Sequence, residues 1–153
     1  MASPNTTFVA GNVLTAAQMN NLPFGLVSKT DVIVTVGSIT AETVRITSPS
    51  FTAVANRLYR ISYYEPVLQY DSGTMNTCTM QIRLTNISGA VQQLCEVKMQ
   101  SLNKTSGLCT IVKTLTAGST VLVGTVVPSG GTMSAVNSAT IITQLIIEDI
   151  GSA

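Results

Sequence analysis

The sequence of 153 residues has no histidine and no tryptophan, and charged residues make up only 10% of it. Without histidine, the commonest general base and the commonest metal ligand are both missing. Eight Lys and Arg spread along the chain neutralise too few phosphates for a nucleic-acid binder. No apolar run has the length of a membrane-crossing helix. Nor is the chain short of apolar residues: at 45% hydrophobic and a net charge of +1 it is the opposite of a disordered polypeptide. The length suits one domain, or one domain with an arm, able to bury a core without metals or disulfides. Cofactors, metals, nucleic acid and membrane are therefore not expected partners.

What remains is a threonine-rich chain that must stay dispersed with hydroxyls and amides instead of charge. Low charge with high apolar content suits a protomer whose surface is largely covered by neighbours. The three cysteines, Cys78, Cys95 and Cys109, have long gaps and no CxxC pair, which argues against zinc. Cys78 is in phase with Met80, Ile82 and Leu84, and Cys95 with Val91, Val97 and Met99. They read as small buried hydrophobes; the sequence leaves room for one disulfide without fixing its connectivity. The opening MASPNTTFVAGN has no basic region followed by an apolar stretch, so it is not read as a secretory signal.

Residues 1–28 differ from the rest and read as an N-terminal arm; residues 29–153 read as a β domain. In the arm, Thr15 and Gln18 are spaced as a capping box, and Leu14 and Met19 as a hydrophobic staple. Asn20-Asn21 and Pro23 then stop a helix too short to stand alone in water. It must dock on its own domain or on a neighbour.

From Lys29 the hydrophobic period is two. Val32, Val34 and Val36 alternate, as do Val44 and Ile46. The clearest strand is Met75 to Thr85, with Cys78, Met80, Ile82 and Leu84 on one face and Thr77, Thr79, Gln81 and Arg83 on the other. Further strands are expected over Val91 to Met99, Leu108 to Leu115, Thr120 to Val127, Thr132 to Val136 and Thr140 to Glu148. About nine short strands punctuated by turn residues, with no long amphipathic helix between them, specify an all-β, antiparallel two-sheet fold. A jelly-roll-like sandwich is the first expectation and an immunoglobulin-like one the second. Two late strands are apolar on both faces. In one, Leu122 and Val126 oppose Val121, Val123 and Val127; in the other, Ile142 and Ile146 oppose Ile141, Leu145 and Ile147. A sandwich strand meets the core on one face only. The second face then needs a cover: the arm, another subunit, or a long loop of the same domain.

Candidate chemistry is sparse. Glu65 and Asp71 flank a stretch bearing Tyr63, Tyr64 and Tyr70, a segment that reads either as a sugar-stacking surface or as a strand-to-loop passage whose tyrosines pack at the sheet margin. No phosphate-binding glycine motif opens a helix. No serine sits in a nucleophile elbow, and no histidine exists to activate one. Catalytic residues are not expected.

Three stretches together resemble a known group. Phe8-Val9-Ala10-Gly11-Asn12-Val13-Leu14-Thr15-Ala16-Ala17-Gln18-Met19-Asn20 resembles the opening motif Phe-x-Ala-Gly-x-Val-Leu-Thr-Ala-Ala-x-Met-Asn of small virion proteins of tailed bacteriophages, particularly those of actinobacteria. Leu22-Pro23-Phe24-Gly25 is similar to the Leu-Pro-x-Gly that follows, with Phe24 where Arg is common. Phe51 to Ile61 resembles the Phe-Thr-Ala-Val-Ala-Gly-Arg-x-Tyr-x-Ile stretch, with Asn56 in place of Gly. The ending Ile146-Ile147-Glu148-Asp149-Ile150-Gly151 is similar to Val-Glu-Asp-Ile-Gly. The resemblance implies a virion structural protein with a jelly-roll-like domain, often trimeric, made in the host cytoplasm and carrying no catalytic residues.

The residues and the resemblance together lead to the expectation of a capsid decoration, or cement, protein. It would form a homotrimer on the particle surface, with itself and the major capsid protein as partners. The candidate oligomer or capsid contacts are Phe8, Val13, Leu14, Met19, Leu22 and Phe24 of the arm, and Leu122, Val126, Ile142 and Ile146 of the late strands. Alternatives are a minor tail or baseplate protein and, in another class, a carbohydrate-binding module contacting glycan through Tyr63, Tyr64 and Tyr70. A single-jelly-roll coat of a small RNA virus fits the length but commonly needs a basic arm, and residues 1–28 hold no Lys or Arg.

Overall fold

The computed structural model describes residues 16–74, 77–99 and 103–153. It opens with the one-turn helix α1 (Ala16–Asn20). Strands then follow as β1 (Gly25–Val32), β2 (Val36–Ile39), β3 (Thr43–Thr47), β4 (Phe51–Ala53), β5 (Arg57–Ser72), β6 (Thr77–Leu84), β7 (Val91–Lys98), β8 (Lys104–Thr114), β9 (Gly118–Thr120), β10 (Leu122–Pro128), β11 (Thr132–Ala135) and β12 (Thr143–Ser152). All pairings between them are antiparallel. The expected β1 onset moves forward, because Gly25 to Ser28 already pair with β12. Thr15 and Leu14 of the expected cap and staple lie outside the described residues.

One sheet runs β1-β12-β5-β8, and the other β3-β10-β6-β7. With the long strands β1, β3, β5, β6, β7, β8, β10 and β12 counted in chain order, the sheets read first-eighth-third-sixth and second-seventh-fourth-fifth. That is the double Greek key of a jelly roll. Beyond Tyr64, β5 exchanges β12 for β11 on the same edge, and β2 extends the sheet outside β11. β4 and β9 form a separate two-stranded ribbon.

The core lies between the sheets. Ile61, Tyr63, Cys109, Leu145 and Ile147 of the first pack against Ile46, Cys78, Met80, Ile82, Leu122 and Val126 of the second. The alternation of β6 is as its sequence predicts: Cys78, Met80 and Ile82 are fully buried, and Leu84 packs against them. On β7, Cys95, Val97 and Met99 point inward but Val91 is exposed. A register shift between Ile82 and Arg83 pairs Val91 with Arg83 and turns it to the outer face. The expected continuity through Val32, Val34 and Val36 is broken. Thr35 donates its hydroxyl to the Asn137 carbonyl and accepts from the Asn137 N–H, both at 2.9 Å. The chain bends there, leaving Ile33 and Val34 exposed.

The late strand β10 corrects the expected orientation. Leu122 and Val126, anticipated as subunit contacts, are fully buried core residues. Between them Gly124 lies so close beneath Ile46 and Tyr63 that a Cβ would come within 2.7 and 2.8 Å of their side chains. Only glycine lets the strand press into the core here. The opposite face, with Val123 and Thr125, is covered from within the chain. Arg83, the register partner of Val123, grips Glu42 through two nitrogens at 2.6 and 3.0 Å, and Thr125 donates to the same carboxylate at 2.8 Å.

A polar network crosses the sandwich where β5 changes neighbour. Glu65 is fully buried. Its Oε1 accepts from Arg45 Nε of the opposite sheet at 3.2 Å and from the Tyr63 hydroxyl at 2.6 Å, and its Oε2 accepts from Thr143 at 2.6 Å. Arg45 also donates to Asn137 Oδ1 at 2.6 Å, and the Asn137 amide donates to Thr143 Oγ1 and to the Val32 carbonyl. Burial, reinforced by the Glu65 carboxylate, pushes the Tyr63 hydroxyl well above its ordinary pKa, so it stays a donor. Removing one partner of a buried pair strands the other charge. Arg45→Met should lower the unfolding free energy in urea by about 3–5 kcal/mol, and adding Glu65→Leu to it should restore part of that loss. A single variant as stable as the parent would contradict the bridging role.

Candidate functional site

Leu22–Phe24, Arg57 and Asp149–Gly151, drawn from the three stretches that carry the sequence resemblance, meet at one end of β5. The Ala55–Asn56 turn sets the start of that strand, and Asn56 adopts φ +57°. This left-handed conformation suits glycine, and asparagine is among the few side chains that tolerate it. Asn56 therefore fits a left-handed position where the resembling motif has glycine.

Arg57 follows and is buried. Its Nε donates to Asp149 Oδ2 at 2.8 Å, and Nη2 donates to Asp149 Oδ1. Nη2 also donates to the Leu22 carbonyl at 2.7 Å. The guanidinium lies 3.9 Å from the centre of the Phe24 ring, a cation–π contact of the kind worth about 0.5–2 kcal/mol. Asp149 Oδ1 in turn accepts the Gly151 N–H at 3.0 Å. One arginine thus fastens the entering chain at Leu22–Phe24 to the closing strand at Asp149–Gly151. Burial alone would raise the Asp149 pKa; hydrogen bonds from Arg57 and Gly151 and the positive charge of Arg57 outweigh it and hold the carboxyl below its ordinary value.

A shallow groove of about 350 Å³ lies over this anchor, lined by Asn21, Phe24, Val54, Ala55, Asn56, Arg57 and Ser152. Met19, Phe24 and Val54 are exposed around it. Of the expected arm contacts, Met19 and Phe24 are thus solvent-facing and Leu22 is half-buried, while Phe8, Val13 and Leu14 lie outside the described residues. Ile146 sits half-buried on the outer face of the first sheet. Ile142 lines a second groove of about 410 Å³ with Tyr64, Pro66, Val67 and Gln144.

The three tyrosines do not form a platform. Tyr63 and Tyr64 are consecutive in a strand and so point to opposite faces. Tyr63 is in the core, and Tyr70 is buried with its hydroxyl on the Gly73 carbonyl. Only Tyr64 is exposed, so the glycan surface expected of all three is not assembled. Glu65 and Asp71 are likewise separated in role: Glu65 is sealed in its network, and Asp71 accepts from Gln69 and Ser134 at 3.1 and 2.6 Å.

Among the described residues no cluster of three His, Cys, Asp or Glu could hold a metal, and no helix is long and apolar enough to cross a membrane. The cysteines are free. Burial pushes the thiols of Cys78 and Cys109 up to about 12, which leaves them protonated and unreactive at neutral pH.

Sequence reasoning quoted Arg57 and Asp149 only as letters of a motif and gave them no role. The available signal was the presence of both residues in motif stretches of a chain with few charges.

No protein-family model and no curated protein matches this sequence. Among solved structures, a chain described under "Bacillus endospore appendages form a novel family of disulfide-linked pili" is similar at 14% identity, over 83% of this chain and 99% of that one, with a TM-score of 0.29. A superposition that loose carries no argument about role.

Two measurements check this description. A carboxyl with a depressed folded-state pKa stabilises the fold fully above its unfolded value, and that contribution is lost as pH falls through the folded value. For Asp149 the loss begins near the ordinary 3.8 and continues below it. Thermal melts from neutral pH down through this window should fall more steeply for the parent than for Asp149→Asn, which should start lower at neutral pH. Parallel curves would contradict the anchor. In a thiol titration of the native protein near neutral pH, Cys78 and Cys109 should remain unmodified until urea exposes them; prompt labelling of either would show that the sandwich opens.

Proposed function

We propose that this chain is a structural protein of a tailed-bacteriophage virion: a capsid decoration, or cement, protein that forms homotrimers and seats on the major capsid protein. The observation that carries the reading is the convergence on Arg57. Leu22–Phe24, Arg57 and Asp149–Gly151 come from the three stretches that resemble phage virion proteins, and they lock together through direct contacts. The resemblance thus follows the contacts that tie Leu22–Phe24 to the closing strand. Exposed Met19 and Phe24, in the described part of the arm, suit docking on a neighbouring molecule. The jelly roll supports the structural reading only as a fold common among capsid proteins.

Immunogold electron microscopy of particles purified from cells producing this chain tests the proposal. Label distributed over the head is the expected result. Label confined to the tail would replace the decoration role with a minor tail or baseplate role, and particles free of label would refute virion residence altogether.

A further inference from the structure

We infer that the outer face of the β8-β5-β12-β1 sheet is the surface on which copies of this chain meet. This rests on the proposed self-assembly, but not on the virion or on any place within it. The face is a regular grid. Register sets Leu108, Tyr64, Gln144 and Asp31 in one row. Thr110, Ser62, Ile146 and Lys29 form the next, and Val112, Arg60, Glu148 and Leu26 the third. Its apolar members are open to solvent: Leu26 is 63% exposed, Leu108 58% and Val112 50%.

The other sheet shows the contrast. There the chain covers the middle of its outer surface with the Arg83–Glu42 pair over Val123 and Thr125, which are 2% and 0% exposed, and leaves Val44, Val91 and Leu94 open on the flanking strands. No described element does this for the first sheet.

Charge selects the occupant. Each charged group on the grid has its opposite beside it: Arg60 Nε lies 2.7 Å from Glu148, and Lys29 Nζ lies 2.8 Å from Asp31. The face is therefore neutral, with no unpaired charge to desolvate. A partner recognised by charge has nothing to read here. A second copy, by contrast, brings like groups together around a symmetry axis and needs this neutrality to avoid self-repulsion.

Size is adequate. At about 4.8 Å between strands and about 6.8 Å between alternate residues, the grid spans roughly 20 Å by 20 Å. Two such faces, with side-chain relief, remove about the 1,000 Å² that a specific interface needs.

The test is the solution mass of the full chain by light scattering or sedimentation, for the parent and for Leu108→Lys, Val112→Lys and Leu94→Lys. All three positions are exposed, so folding is checked simply by circular dichroism and melting. The parent should run at two or three times 16.0 kDa. Leu108→Lys and Val112→Lys should fall to the single-chain mass with an unchanged spectrum, while Leu94→Lys, on the outer face of the other sheet, should match the parent. A parent that stays single at high concentration would overturn both the interface and the proposed self-assembly, whether the face is covered by residues 1–15 or kept for another protein. A parent that assembles while the two β8 variants also assemble, or that is dissociated by Leu94→Lys, would overturn the interface alone and leave self-assembly standing.

Discussion

A charged pair sealed between two apolar sheets costs several kcal/mol of desolvation per ion unless every lone pair and proton around it is satisfied. Arg45 and Glu65 offset that cost with directed bonds. Glu65 accepts from Arg45, Tyr63 and Thr143, and Arg45 reaches on to Asn137. Each partner of the pair lies in a different sheet, so the network fixes how the sheets sit on one another at the point where β5 gives up β12 for β11. Through Asn137 it also holds the Val32 carbonyl and the Thr35 hydroxyl. The loops at that end of the sandwich are set by this one arrangement, and so is the outward direction of Tyr64, the residue before Glu65. Apolar residues of the same volume could match its stability. They would supply none of these directed bonds.

The same chemistry recurs at the start of β5. Arg57 and Asp149 are also buried and also held by directed bonds, but their extra bonds go to the backbone of the chain ends instead of to loops. β5 therefore carries a polar lock at each of two places, one tying sheet to sheet and one tying the entering chain to the closing strand. Arginine suits both because its planar fork makes several bonds from one rigid group.

The sequence displayed its fold class through local signals. The alternation of Cys78, Met80 and Ile82 between turns is enough to define a half-buried strand. Where a bulge intervenes, as before Val91, alternation misassigns a face, because register belongs to the pair of strands and not to either one. β10 was ambiguous because both of its faces are apolar; Gly124 between Leu122 and Val126 was the clue to the tightly packed side. The tyrosines needed only strand parity, which separates Tyr63 from Tyr64, yet Pro66 and the polar residues around it hid that β5 is one continuous strand. The Arg57–Asp149 lock joins residues far apart in sequence. No local pattern announces such a pair, and the motif resemblance marked its members without explaining them.

The shortage of charge acquires a physical meaning once the pairs are placed. Five of the eight basic and five of the seven acidic residues are committed to ion pairs within the described chain, and every arginine is among them. Two of these pairs are in the interior, and a third covers the outer face of β10. Two pairs thus fasten the interior, and the exterior is left with few charges, most of them paired with each other. A free monomer ordinarily relies on scattered surface charge to stay dispersed. This chain instead leaves one sheet neutral, hydroxyl-bearing and studded with exposed Leu26, Leu108 and Val112, the grid on which the proposed contact between copies rests.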